Sequence, residues 1–279
     1  MKIRYWGTAA AEGIPCLFCN CAVCKEAREK KGKYVRTRSQ VMLDNRLLID
    51  FNADTYMHAL QYDCNLADIE HVLITHVHAD HFYPAEIGNR AVNFANGMAH
   101  ETLTLHGSAD VAKHSQGLQY MVKQKRLAYD EIQPYESRSI EGFTVTALPA
   151  THGTENPYVY LFEKEGKTFF LFNDSGFLKE EGMAWLKEKQ IAFDAISYDC
   201  TFGESDASFG GTYEAQHLGI PNILEQRKRF IENGNYREHT VEILTHFSHN
   251  VPTIGYGDML KIARRHGFVL AYDGMETKV

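Results

Sequence analysis

Nowhere in the 279-residue chain does an apolar run approach the ~18–20 residues that a membrane-crossing helix requires. A secretion signal is not expected either. Met1-Lys-Ile-Arg-Tyr-Trp6 reads as a strand, not as a basic stretch followed by an apolar one, so the expected location is the cytoplasm. Basic charge is scarce: 29 Lys+Arg against 36 Asp+Glu leave a net charge of −7, a field that repels a polyphosphate chain. Neither a nucleic acid nor a membrane is therefore expected as a partner, while a homodimer is admitted. No linker, internal repeat, low-complexity tract or long block of one charge divides the chain. With 44% hydrophobic and 23% charged residues, a disordered or fibrous protein is excluded. One domain over residues 1–279 is the expectation.

Histidine is what the chain has in excess. There are 14, where a residue of ordinary frequency near ~2% would occur about half a dozen times. The six cysteines are unevenly spread, Cys16, Cys19, Cys21 and Cys24 crowding together while Cys64 and Cys200 stand alone. Neighbours one or two positions apart are hard to bridge with relaxed disulfide geometry, and a reducing compartment disfavours the bond, whereas thiolates converging on zinc favour such spacings. Cys19-Asn-Cys21-Ala-Val-Cys24 thus supplies three ligands for a structural zinc, the fourth being Cys16 or a histidine from elsewhere. Cys64 and Cys200 read as inert core thiols.

Val41-Met-Leu43 and Leu47-Leu-Ile49 flank a turn at Asp44-Asn-Arg46 and predict a hairpin. Further strands are expected at 72–75, 143–148, 158–162, 168–172 and 195–198, with Lys164-Glu-Gly-Lys167 a second hairpin turn. Helical patterns fall at 54–61, 178–188, 221–232 and 258–266, the third with Pro221 at its start and Gly234 just past its end. The fold class is α/β with two β-rich halves, plus a long ordered loop from Gly7 to about Arg38 pinned by the cysteines.

The buried-type strand Val72-Leu-Ile-Thr75 runs directly into His76-Val-His78-Ala-Asp80-His81. Imidazole and carboxylate together suit zinc, manganese or iron, and four ligands are more than one ion comfortably takes from a single loop, which points to two ions side by side. Single candidates recur at the ends of later strand-like runs: His152, Asp174, and the pair His246 and His249. Each is weak alone, but together they offer a third imidazole for one ion, a third ligand for the other, and a carboxylate able to bridge.

These residues resemble the metallo-β-lactamase superfamily. Thr75-His76-Val-His78-Ala-Asp80-His81 followed by His152, Asp174 and His246 carries the likeness, which runs from Gly7-Thr-Ala-Ala-Ala-Glu-Gly-Ile-Pro15 to Ala271-Tyr-Asp-Gly-Met-Glu276. Within it, the Cys-x-Cys-x-x-Cys loop, Thr245-His-Phe-Ser-His249 and Asp273-Gly-Met-Glu276 are most similar to the PhnP-type phosphodiesterases of the carbon-phosphorus lyase pathway. The resemblance implies a four-layer αββα sandwich and hydrolysis of cyclic ribose phosphates and related small phosphodiesters by a water or hydroxide between two metal ions, manganese or zinc. It implies that His76, His78 and His152 bind the first ion, that Asp80, His81 and His246 bind the second, and that Asp174 bridges. It assigns Cys19, Cys21, Cys24 and His249 to the structural zinc and leaves Cys16 surplus.

A leaving alkoxide needs a proton, and the resemblance makes His217 the general acid, so His217 and Asp80 are the expected catalytic residues. Asp50, ending the Leu47-Leu-Ile49 strand, is a candidate acceptor behind a ligand imidazole. Tyr198, Phe202, Phe209 and Tyr213 are candidates for a substrate mouth. His58, His71, His100, His106, His114, His239 and His266 read as surface or core residues. The fold alone does not choose the reaction, so a thioesterase or lactonase, and an inert metal-binding sensor or scaffold, stand as alternatives.

Overall fold

The computed structural model describes residues 1–205, 216–250 and 255–279. One sheet contains β1 (Lys2–Gly7), β2 (Gln40–Leu43), β3 (Leu47–Ile49), β4 (His71–Leu73), β5 (Leu103–Gly107) and β6 (Leu127–Glu131), with β14 (Met275–Lys278) at its edge beside β1. The other contains β7 (Ser137–Ile140), β8 (Phe143–Pro149), β9 (Tyr158–Lys164), β10 (Lys167–Phe172), β11 (Phe193–Asp199), β12 (Tyr236–Thr245) and β13 (Val269–Leu270), in the spatial order β13-β12-β11-β10-β9-β8-β7.

Alternation along the strands decides the layering. In β10, Phe169 and Leu171 enter a core shared with Ile3, Val41, Ile49 and Leu73 of the first sheet, whereas Phe170 and Phe172 enter a separate core on the opposite face. That is the period of two expected of a strand, and a strand apolar on both faces must be covered on both. Helices provide the cover. Over the second sheet lie α1 (Ala22–Lys30), α5 (Glu180–Glu188), α6 (Ile220–Glu232) and α7 (Tyr256–Arg265), whose Val23, Leu186, Phe230 and Ile262 join that outer core. The ring of Phe230 meets Phe170, Phe172 and Phe193 edge-on. Burying one such side chain contributes about 1.5–3 kcal/mol. On the far side of the first sheet lie α2 (Thr55–Gln61), α3 (Ala109–His114) and α4 (Gln119–Lys123), with Val111 and Met121 packed on Leu48, Val72 and Leu105. The result is the four-layer αββα sandwich.

Both predicted hairpins form. Glu165 and Gly166, between the paired Lys164 and Lys167, sit at φ 52° and 74°, the positive values of a two-residue turn that matches strand twist, and Asp44 and Asn45 sit at 49° and 57° in the three-residue connection between the paired Leu43 and Leu47. One expectation is corrected: the segment from Gly7 to about Arg38 is not a loop throughout, because α1 occupies Ala22–Lys30. Its sequence is rich in Ala, Lys, Glu and Arg, and Glu26 pairs with Lys30 one turn on. Among the described residues, no helix is long and apolar enough to cross a membrane.

Strand direction brings the chemistry to one edge. β3 and β4 are parallel, as are β10, β11 and β12. Asp50, Thr75 with His76, Asp174, Asp199 and His246 all lie at or just past the carboxyl ends of these strands. Two bonds lock the sheets together there, Tyr158 N–H to the Thr75 carbonyl (2.9 Å) and Tyr160 O–H to the Ile74 carbonyl (2.9 Å).

Candidate metal centre

Three overlapping groups of ligand atoms converge at this edge, each within 4.8 Å: His76, His78, His152 and Asp174; Asp80, His81, Asp174 and His246; and Asp174, Asp199, His217 and His246, in which His217 Nδ1 lies 3.1 Å from Asp174 Oδ1. In the first, His78 Nδ1 lies 3.1 Å from His76 Nε2 and 3.0 Å from His152 Nε2. A ring nitrogen has a single in-plane lone pair or proton and cannot serve both neighbours by hydrogen bonding. Ligand atoms at about 2.0–2.1 Å from a tetrahedral zinc stand about 3.4 Å apart, so a shared cation accounts for all three nitrogens. In the second group, Asp174 Oδ2 lies 3.0 Å from His81 Nε2 and 3.6 Å from His246 Nε2, while also lying 3.2 Å from His76 Nε2. His81 Nε2, His246 Nε2 and Asp174 Oδ1 are buried without a hydrogen-bond partner. Such orphaned atoms are expensive in a folded interior unless a cation satisfies them. The donor set fits zinc or manganese.

The imidazoles are aimed from behind. Asp50 Oδ2 accepts from His81 Nδ1 at 2.7 Å, and Asp50 Oδ1 accepts from the Thr75 N–H (2.8 Å) and hydroxyl (2.9 Å). Asp199 Oδ2 lies 3.2 Å from His246 Nδ1 and 3.0 Å from His217 Nδ1, with the Thr201 hydroxyl 2.8 Å from His246 Nδ1. An acceptor at Nδ1 fixes the proton there and leaves Nε2 as a lone pair. Asp50 therefore stands where the sequence suggested. Asp199 and Thr201 carry a positioning role that the sequence did not single out. A lone Asp ending the Ala195–Tyr198 run is a common strand terminus, and only its register beside Thr245, one residue before His246, shows what it faces.

Four buried carboxylates, Asp50, Asp80, Asp174 and Asp199, crowd this edge. Burial drives the His76 pKa down to about 3 and also lowers His152. For His81 burial acts the same way, but Asp80 and Asp50 outweigh it and hold that imidazolium well above the usual range. His217 is likewise carried against burial to about 9 by Asp199. Asp174 is held well below ordinary carboxylates, its burial penalty overcome by His246 and His152. Ionised acids facing imidazoles that titrate apart favour cation capture with release of protons.

Cys19, Cys21, Cys24 and His249 form a separate group within 4.8 Å, with Cys21 Sγ 3.6 Å from His249 Nδ1. Bonds of about 2.3 Å to sulfur and 2.0–2.1 Å to nitrogen put those atoms about 3.6 Å apart in a tetrahedral site. Cys21 precedes α1 and Cys24 lies in its first turn. The Arg28 guanidinium, one turn on, donates to the carbonyls of Cys19 (2.7 Å) and Cys16 (2.9 Å) and braces the loop. Of the two open choices for a fourth ligand, His249 converges. Cys16 offers its backbone N–H to Cys24 Sγ (3.3 Å), and its thiol is not in the group.

A cleft of about 390 Å³ opens over the histidines and is lined also by Glu12, Phe202, Gln216 and His217. Phe202 thus lies at the mouth as expected. Tyr198 does not: it is fully buried in the outer core, its hydroxyl 2.6 Å from that of Tyr236. Phe209 and Tyr213 fall outside the described residues.

Among known proteins, a ribonuclease Z from Staphylococcus saprophyticus is 25% identical over 281 aligned residues, covering 88% of this chain and 83% of the relative. Zinc-bound PqqB from Methylobacterium extorquens superposes with a TM-score of 0.76 at 19% identity, over 100% of both chains. A diphosphatase from the PhnP family gives 0.74 at 19% identity, over 100% of this chain and 97% of its own. At such identity these two structures share the fold. The β-lactamase superfamily domain matches residues 45–247, most of the chain, and with the sandwich and its histidine-rich edge this makes the protein a member of the metallo-β-lactamase superfamily of metal-dependent hydrolases.

Proposed function

We propose that this chain, residues 1–279 acting as one domain, is a dinuclear metal-dependent phosphodiesterase acting on small phosphodiesters. The observation that carries the reading is the Asp174 carboxylate facing both ligand groups at once. His76, His78 and His152 would hold one ion, Asp80, His81 and His246 the other, and Asp174 would serve both. Four carboxylates balance the charge of two divalent ions. Two such ions, Mn²⁺ or Zn²⁺, would supply Lewis acidity toward phosphoryl oxygens and an activated water for in-line attack. The chain's own part is orientation and proton delivery. His217 lines the cleft with Nδ1 held by Asp199 at 3.0 Å, which leaves Nε2 to carry the proton a leaving alkoxide needs. Cys19, Cys21, Cys24 and His249 would hold a third, structural ion.

A second reading is supported by the relative named ribonuclease Z: the same site cutting RNA. Its weakness is the net charge of −7, which does not favour a long polyanion. Assay of purified protein loaded with Mn²⁺ or Zn²⁺ separates the possibilities, using bis(p-nitrophenyl) phosphate, a cyclic ribose phosphate, a structured RNA, a thioester and a lactone. The proposal expects turnover of the two small phosphodiesters. Preference for RNA favours the second reading, turnover of the carboxylic esters alone means a thioesterase or lactonase, and turnover of none means an inert scaffold.

A further inference from the structure

Three histidines that the active edge does not use, His71, His100 and His106, gather at the start of β4, His71 against His106 and His100 against Glu70. His71 opens β4, and its Nδ1 lies 3.0 Å from His106 Nε2. His106 is buried, and its Nδ1 lies 2.9 Å from Asp130 Oδ2, a carboxylate that Arg138 also holds. With the carboxylate accepting from His106 Nδ1, Nε2 of that ring accepts from His71 Nδ1, which leaves a lone pair on His71 Nε2.

That lone pair is aimed at acids. Ligand atoms of Glu70, His71 and Glu141 lie within 4.8 Å of one another, Glu70 Oε2 being 3.8 Å from His71 Nε2. Glu70 is steadied by His100 Nδ1 at 3.0 Å, and Glu141 comes from the turn between β7 and β8 of the opposite sheet. A proton bridging nitrogen and carboxylate draws them to about 2.7–2.9 Å, whereas two metal–ligand bonds of about 2.0–2.2 Å span the observed gap. We infer that Glu70, His71 and Glu141 form a further divalent transition-metal site, separate from the active edge and from the cysteine group, which clips the two sheets together with water completing the coordination. Asp130 and His106 set the tautomer of its one imidazole, the support that ligand histidines ordinarily have.

The test is metal content. Full-length protein is dialysed against low-micromolar Zn²⁺ and its zinc counted by mass spectrometry, beside His71→Ala and the isosteric Glu141→Gln, which also gives up an ion pair with Arg46 (3.5 Å). Both variants should hold one zinc fewer than the parent, and crystals of the parent should give a zinc-edge anomalous peak among Glu70, His71 and Glu141. Retention of the full zinc count by either folded variant, or the absence of that peak, overturns the inference. A count that falls in Cys21→Ser but not in these variants shows that the measurement resolves single sites and that this one is filled by a proton.

Discussion

Replacing Asp50 by asparagine asks whether the second ligand group is aimed from behind. The carboxylate is 4% exposed and accepts from His81 Nδ1 (2.7 Å), the Thr75 N–H (2.8 Å) and the Thr75 hydroxyl (2.9 Å). An amide of the same shape can keep its oxygen toward Thr75, but its NH₂ then faces His81 Nδ1. The imidazole must move its proton to Nε2, the nitrogen that lies 3.0 Å from Asp174, and a protonated Nε2 has no lone pair for a cation. Losing the partner behind a ligating histidine costs about 10–100-fold in metal affinity, or about 1.4–2.7 kcal/mol. Competition with a chromophoric chelator should show the zinc affinity of the group containing His81 falling by that factor. The metal-free protein should melt a few degrees lower, since an unsatisfied buried group costs about 1–3 kcal/mol. Thr75→Val, which removes one donor to Asp50 and leaves its bond to His81, should stay within a few-fold of the parent. Unchanged affinity in Asp50→Asn would refute the reasoning, because it would mean that His81 needs no fixed tautomer.

Asp174→Ala should abolish turnover and strip metal from the active edge while the far-ultraviolet circular dichroism is retained; surviving turnover dismisses the bridging role. Cys21→Ser should lose one tightly held zinc and melt lower, because a structural zinc contributes directly to folding, and an unchanged zinc count removes the site. His217→Gln should reduce kcat by about 10²–10⁴-fold on a phosphodiester with an alkyl leaving group and much less with p-nitrophenolate, at constant metal content. Equal losses on both would assign His217 to binding. His58 is fully buried beside Trp6, and burial, opposed by the charge of Asp54, lowers its pKa from 6.5 to about 4. The unfolded chain takes that proton more readily, so stability should fall as pH drops from about 6.5 toward about 4, by on the order of 3 kcal/mol. Urea titrations across that window should be flatter for His58→Gln, and parallel curves would show that another group titrates.

What could be read from the chain follows from how local each signal is. His76, His78, Asp80 and His81 sit on one loop after an apolar strand, so their convergence needs no knowledge of the fold. His152, Asp174 and His246 are weak candidates at the ends of strand-like runs, and their division between two ions rests on likeness to a family, since nothing near them in sequence says which strand ends lie side by side. Asp199 shows the limit. Its contacts to His217 and His246 span 18 and 47 positions and arise from the parallel pairing of β11 with β12. Strands with two apolar faces, β9 to β11, announce themselves. The edge strand β7 and the exposed first half of β12 carry Arg, Ser, Glu and His and do not. The helix α1 was masked by the cysteines at its start, although its Ala, Lys, Glu and Arg content is that of a good helix.

Backbone strain shows where the fold subordinates local preference to the site. Asp50, Asp174 and His246 all adopt left-handed backbone conformations, at φ 67°, 49° and 62°. For a residue with a Cβ this costs about 1–2 kcal/mol, less for Asp, whose side chain can bond locally. Each sits just past a parallel strand, where the chain must turn sharply for the next side chain to face the cleft and not continue along the sheet. For His246 the restoring contacts are visible on both sides. Phe247 N–H donates to the Thr8 carbonyl and Ala10 N–H to the Phe247 carbonyl (both 3.0 Å), and three residues on, His249 is drawn into the cysteine group. The cysteine loop therefore does more than stabilise its own segment. By anchoring His249 it holds a strained turn whose preceding histidine must point inward, and a metal bound at one place would preorganise the ligand of another.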